Sequence, residues 1–225
     1  MKIGRVRVVR FPTEAESVLR RCEEAGVVVD FVRVAPDVGE EGETAHRRAA
    51  LTAVAEATRR HAGAVEANVV DASDLGERAQ LAETARSLRA EAERIQGLDP
   101  EAFRGDRVSS AEFFGSGYVG GTLVPDIEEH YSMFGDELDF TRAFCDPPYG
   151  LHGRYKQLAR SDLVELFDAV VQEVLRSPGD STEIWSWSTD WSDYFAPGRE
   201  WWGTACWTLD SGEGSIIAVL ASTTD

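Results

Sequence analysis

Basic residues are scarce in the second half of this 225-residue chain. Residues 1 to 100 carry 15 bases against 18 acids, whereas residues 101 to 225 carry 8 against 22, and beyond Ser161 only Arg176 and Arg199 are basic. Proteins hold a phosphate backbone mainly through Lys and Arg, so this half would repel one, and no nucleic-acid partner is expected. Cysteine is equally scarce. Cys22, Cys145 and Cys206 are odd in number, far apart and in no CxxC spacing, which reads as free thiols in a reducing cytosol rather than a disulfide scaffold. Long apolar runs are missing too. The longest, Ile216 to Ala221, is far short of the roughly 20 residues that span a bilayer. The opening MKIGRVRVVRF has no continuous apolar stretch of the signal-peptide kind. A cytoplasmic protein with no membrane partner is expected. No GxSxG elbow, HExxH or paired-Cys site is present, so neither a catalytic residue, a metal nor a cofactor is assigned from sequence.

What the chain does have is tryptophan, and all six lie between Trp185 and Trp207 with carboxylates threaded among them. Tryptophan is costly to expose and favoured where a surface grips a partner, so the cluster is either core or a recognition face.

The length suits one large domain or two small ones. Ile3 to Val9 alternates as a strand, Pro12 and Thr13 open a helix to about Ala25, and Val27 to Val34 is β-branched, giving a β-α-β start. Ala45 to Ala62 reads as a helix stopped by Gly63, and Val65 to Val70 as a short strand. From Asp74 to Gln96, the stripe Leu81, Ala85, Leu88, Ala92 and Ile95 predicts a helix that packs by one seam, against the preceding helix in a hairpin, the preferred reading, or against a second copy of itself. Gly97 to Ser110 marks a compositional boundary between a helix-rich α/β region, 1–100, and an acidic, Trp-rich α+β region, 101–225, expected either as two regions or as one cooperative unit. In the second region Phe140 to Cys145 reads as a strand, and Asp162 with Glu165 as a cap for a helix ended by Pro178 and Gly179. Strands follow at Glu183 to Ser188, Trp201 to Leu209 and Ser215 to Ser222. The fold class is α+β, with an antiparallel carboxy-terminal sheet, a helix on one face and a helix-rich amino-terminal half.

Strand alternation sorts the aromatics. Trp185 and Trp187 share a side; Trp201, Ala205, Trp207 and Leu209 share a core face; Trp202 falls opposite with Thr204, Cys206 and Thr208. Trp191, Tyr194 and Trp202 are then the candidates for exposure. The last strand, apolar on both faces, is expected to be central.

Several motifs invite chemistry. Asp146-Pro147-Pro148-Tyr149 resembles the DPPY element of amino-group DNA methyltransferases, and Phe114-Gly115-Ser116-Gly117 their cofactor loop, but the interval between them cannot hold the repeated strand-helix units of a doubly wound sheet. A turn after Phe140 to Cys145 is the preferred reading. Gly115 to Gly121 lacks the P-loop Lys and reads as a flexible or hairpin loop. Asp126, Glu129 and His130 would share one face of a helix, with Asp126 and His130 at i and i+4, but no second His or Cys group is present to complete a metal's usual three or four ligands, and a relay of Ser116 with His152 rests on residue type alone.

Over roughly the last third, the segment from Asp190-Trp191-Ser192-Asp193-Tyr194-Phe195 through Gly198 to Gly203, with the closing Ser222-Thr223-Thr224-Asp225, resembles bacterial immunity-type proteins, which neutralise a toxin encoded beside them. The resemblance implies a cytoplasmic protein-binding module, an immunity or antitoxin-like inhibitor of a basic toxin. Because carboxylates would attract a basic protein and aromatic rings supply lasting contact, the expected partner-binding residues are Asp190, Trp191, Asp193, Tyr194, Glu200 and Trp202. The alternative is a small-ligand protein, taking a cation or sugar, or a hydrolase, built on the same aromatic and acidic segment.

Overall fold

Two-sided apolar strands organise the molecule into a six-stranded sheet with a core on each face, in a computed structural model that describes residues 6–72, 74–123, 138–145, 152–153, 156–157, 159–201 and 203–222. In chain order the sheet strands are β1 (Arg7–Val8), β2 (Val29–Ala35), β3 (Gly105–Val108), β8 (Ile184–Trp187), β9 (Thr204–Asp210) and β10 (Ile216–Ser222). Their spatial order is β1-β2-β10-β9-β8-β3 and every pairing is antiparallel. The sheet therefore joins β2, from the helix-rich region, to β10 across the compositional boundary, with Phe31 opposite Val219. Two small hairpins, β4 (Tyr118–Val119) with β5 (Thr122–Leu123) and β6 (His152–Gly153) with β7 (Lys156–Gln157), stand apart from it.

β10 is central because neither of its faces tolerates water. Ile217, Val219 and Ala221 enter one core while Ile216, Ala218 and Leu220 enter the other. Helices cover both faces, not one as the sequence suggested. On the first lie α1 (Thr13–Ala25), α4 (Ser110–Phe114), α5 (Phe140–Cys145) and α6 (Arg160–Ala169), the last continuing as a π-helical turn over Val170–Val174. On the second lies α2 (Gly42–Asp71), whose Ala45, Ala49, Ala53 and Ala57 are buried and let the helix approach the sheet closely. At 30 residues it is about 45 Å long. It pairs with α3 (Leu75–Gln96) in the hairpin expected from the stripe, of which Ala85, Ala92 and Ile95 are buried.

Four local readings are corrected. α2 runs through Gly63 and absorbs the strand expected at Val65 to Val70. A glycine inside a helix costs only about 1 kcal/mol against alanine, and packing on α3 with the Arg89–Glu66 ion pair spans the lost propensity. Phe140 to Cys145 is a helix, since Phe140, Ala143 and Phe144 at i, i+3 and i+4 all reach the first core and Asp139 Oδ1 accepts the Arg142 amide at 2.8 Å. Asp162 and Glu165 do not cap α6, whose first turn carries no side-chain cap; Glu165 pairs with Arg21 at 2.8 Å instead. Trp201 closes a short helix, α7 (Ala196–Trp201), rather than opening β9, because Pro197 near its start favours helix and Gly203, at φ 122°, turns the chain into the strand.

No helix among the described residues is long and apolar enough to cross a membrane. All three cysteines are free and buried, and burial pushes the Cys22 thiol up to about 12 and raises Cys206 as well, so neither offers a thiolate.

Candidate functional site

The acidic, aromatic connection between β8 and β9 is a built structure rather than a loose loop. It leaves the sheet at Ser188, forms a 3₁₀ turn over Asp193–Phe195 and enters α7. Ser192 opens the turn by accepting the Tyr194 amide on Oγ at 3.1 Å. Its anchor is Glu91 of α3, whose Oε1 accepts the Asp193 amide at 3.1 Å and the Ser192 hydroxyl at 3.3 Å. Arg94 holds Glu91 with two hydrogen bonds of 2.6 Å and donates a third, of 3.0 Å, to the Trp191 carbonyl. The Arg94 hydrogen bonds, with those from Asp193 and Ser192, hold the Glu91 carboxyl below its ordinary range although partial burial opposes them. Arg199 donates to the Ser192 carbonyl at 3.1 Å, closing the segment from the α7 side.

The predicted binding residues divide under this geometry. Asp190 and Asp193 are exposed. Trp191 is half-buried: it stacks on Phe103 at 4.7 Å, meets Phe195 edge-on and donates its indole NH to the Ser188 carbonyl. Tyr194 is half-buried as well, with its hydroxyl directed inward to donate to Asp30 Oδ2 at 2.5 Å. Burial, then the Asp30 charge, raise its pKa well above the ordinary phenol value, so the hydroxyl remains a donor. Glu200 lies in α7, and Trp202 lies outside the described residues. Trp187 and Trp207 are buried in opposite cores, and Trp185 stacks on Trp187 at 5.5 Å.

Between this segment and the α2–α3 hairpin opens a cleft of about 400 Å³. The strand end contributes Val29 and Asp30, the hairpin His61, Leu88 and Glu91, and the connecting segment Asp193, Tyr194 and Pro197. Ser222, at the end of β10, donates to the Tyr194 carbonyl at 2.8 Å and so ties the cleft to the sheet. Three carboxylates line it against one imidazole, with an aromatic ring and apolar side chains beside them, an arrangement suited to a cation bearing an apolar or planar body.

Sequence reasoning found Asp193 and Tyr194 but missed Asp30, Glu91 and Arg94. Asp30 carried a usable signal, a lone carboxylate inside Val27 to Val34, where an acid survives only with a partner. Glu91 and Arg94 carried none, being ordinary members of a charged helix face.

The other motifs acquire structural roles or fall away. Gly115 to Gly121 leads into the β4–β5 hairpin, and Gly115, at φ 69°, is required because a Cβ there would lie 1.8 Å from Asp139 Oδ2. Ser116 precedes that hairpin and His152 opens β6. Asp126, Glu129, His130 and Asp146 to Tyr149 lie outside the described residues. Among the described residues no group of His, Cys, Asp and Glu is arranged to hold a metal ion. Neither a family model, a curated protein nor a solved structure matches the chain, and the chemistry of the site is read from its geometry alone.

Proposed function

We propose that the chain is a protein-binding module of the cytoplasm, an immunity or antitoxin-like inhibitor whose acidic face docks on a basic toxin. The observation that carries the reading is the clamp on the β8–β9 connection: Glu91, Arg94 and Arg199 fix its backbone while Asp190 and Asp193 remain exposed. A preorganised segment loses little conformational freedom on docking, so more of the contact energy appears as affinity. A toxin acting on phosphate must itself be basic around its site, and opposed charge would speed encounter while the half-buried aromatic rings at the segment's base supply lasting contact.

Neutralising the face tests this. Asp190→Asn with Asp193→Asn removes two exposed charges and leaves Trp191 on Phe103, avoiding the packing loss that Trp191→Ala would add. A basic protein retained from host extract, released by salt and then rebound in purified form should bind the double variant about tenfold more weakly, chiefly through slower association. Unchanged affinity and unchanged salt dependence in the variant would overturn the docking face.

A further inference from the structure

We infer that the cleft beside this segment is the receptor for one arginine side chain of the partner; the inference rests on the docking reading above and names the anchor that reading lacks. Its carboxylates are not equivalent. Glu91 is occupied by both Arg94 nitrogens, by Ser192 and by the Asp193 amide, and its charge is matched by Arg94. Asp30 receives the Tyr194 hydroxyl on Oδ2 alone. Asp193 gives only its backbone amide to the clamp, and its carboxylate is exposed. Two acids with acceptor capacity to spare thus meet at a cavity whose apolar surfaces include the Tyr194 ring, Leu88 and Pro197 and whose polar surfaces include Thr58, His61 and Ser87.

The shape of that chemistry distinguishes guanidinium from ammonium. A guanidinium is planar, weakly hydrated, able to lie against an aromatic ring and able to give paired hydrogen bonds to a carboxylate. An ammonium is compact and strongly hydrated, and the apolar surfaces of the cleft would strip water from it without replacing its hydrogen bonds. The cavity of about 400 Å³ exceeds one side chain, leaving room for the stem and the adjoining backbone of a presented arginine. An arginine entering there would sit between strand end, hairpin and clamped segment, where a central buried anchor dominates an interface.

The test uses the full chain and capped single residues: Nα-acetyl-arginine-N-methylamide, its lysine counterpart, and the citrulline compound, which keeps the planar head without the charge. Titration followed by amide NMR shifts should give saturable movement at Asp193, Tyr194 and Glu91 with the arginine compound, half-saturating in the millimolar range that one anchored side chain sustains. Lysine should bind several-fold more weakly and citrulline should leave these amides unmoved. Asp193→Asn should raise the arginine midpoint about tenfold, whereas Asp106→Asn on the remote edge strand β3 should not. Equal response to citrulline, or no saturable shift at these amides with arginine, would overturn the inference. A partner that binds the full chain and is not displaced by the arginine compound would sink the cleft while leaving the docking reading intact.

Discussion

His46 is 2% exposed, and its Nδ1 lies 2.9 Å from the Thr208 hydroxyl, which also accepts the Trp187 indole NH at 2.9 Å. Burial lowers its pKa below the ordinary 6.5, outweighing the nearby charges of Glu183 and Asp210, which act to raise it. The fold therefore prefers the neutral ring, and the unfolded chain takes up a proton first as pH falls. Stability from this group is fully present above about pH 6.5 and declines as pH drops from there toward the lower folded value. Urea midpoints measured from about pH 7.5 to 5 should fall in wild type and stay flatter in His46→Gln; the lowered carboxyls Glu66, Glu91 and Glu112 titrate below that window. Gly105 offers a second test. A Cβ there would come 2.1 Å from Trp187 Cε3, and Trp187 has no room to yield between Phe103 and Trp185. Gly105→Ala should cost about 1–3 kcal/mol in denaturant unfolding, and a change under about 0.5 kcal/mol would show that the indole is not fixed.

Helix α3 serves two masters, the hairpin through Ala85, Ala92 and Ile95 and the connecting segment through Glu91 and Arg94. Removing the second role should leave the first. Glu91→Ala should speed hydrogen exchange at the Asp193 and Tyr194 amides while the global unfolding midpoint moves by no more than about 1–2 kcal/mol; equal loss of protection throughout α3 would mean the clamp holds the helix as well. The α3 stripe, the two-faced β10 and the Trp185–Trp187 side followed from period alone, because each pattern was long or strict enough to exclude its rival. Phe140 to Cys145 was too short: six apolar-leaning residues fit either period until Asp139 is seen capping them. Gly63 misled because tertiary packing on α3 overrides a weak breaker. In contrast, the reciprocal cap of Ser109 and Glu112 that starts α4 was written in the sequence and went unread.

Across the whole molecule, the change in composition near Gly97 does not coincide with a break in the sheet, since β2 lies between β1 and β10. A fragment of residues 101–225 would leave one edge of β10 unpaired and one core without α2 and the other without α1. Expressed alone it should lack dispersed NMR resonances and aggregate, and recover structure when residues 1–100 are added; a well-dispersed spectrum from the fragment by itself would contradict this. The cleft was illegible for the same topological reason. Asp30, Glu91 and Asp193 come from three distant stretches, and only the strand order and the hairpin bring them to one opening. The antiparallel pairing of Phe31 with Val219 also sets a timetable for synthesis. The α2–α3 hairpin has all its local partners as soon as it leaves the ribosome, but β2 emerges with one edge of its backbone unmatched and must wait until nearly all of the described chain has been translated. During that interval the nascent strand is the segment that a chaperone would have to shield.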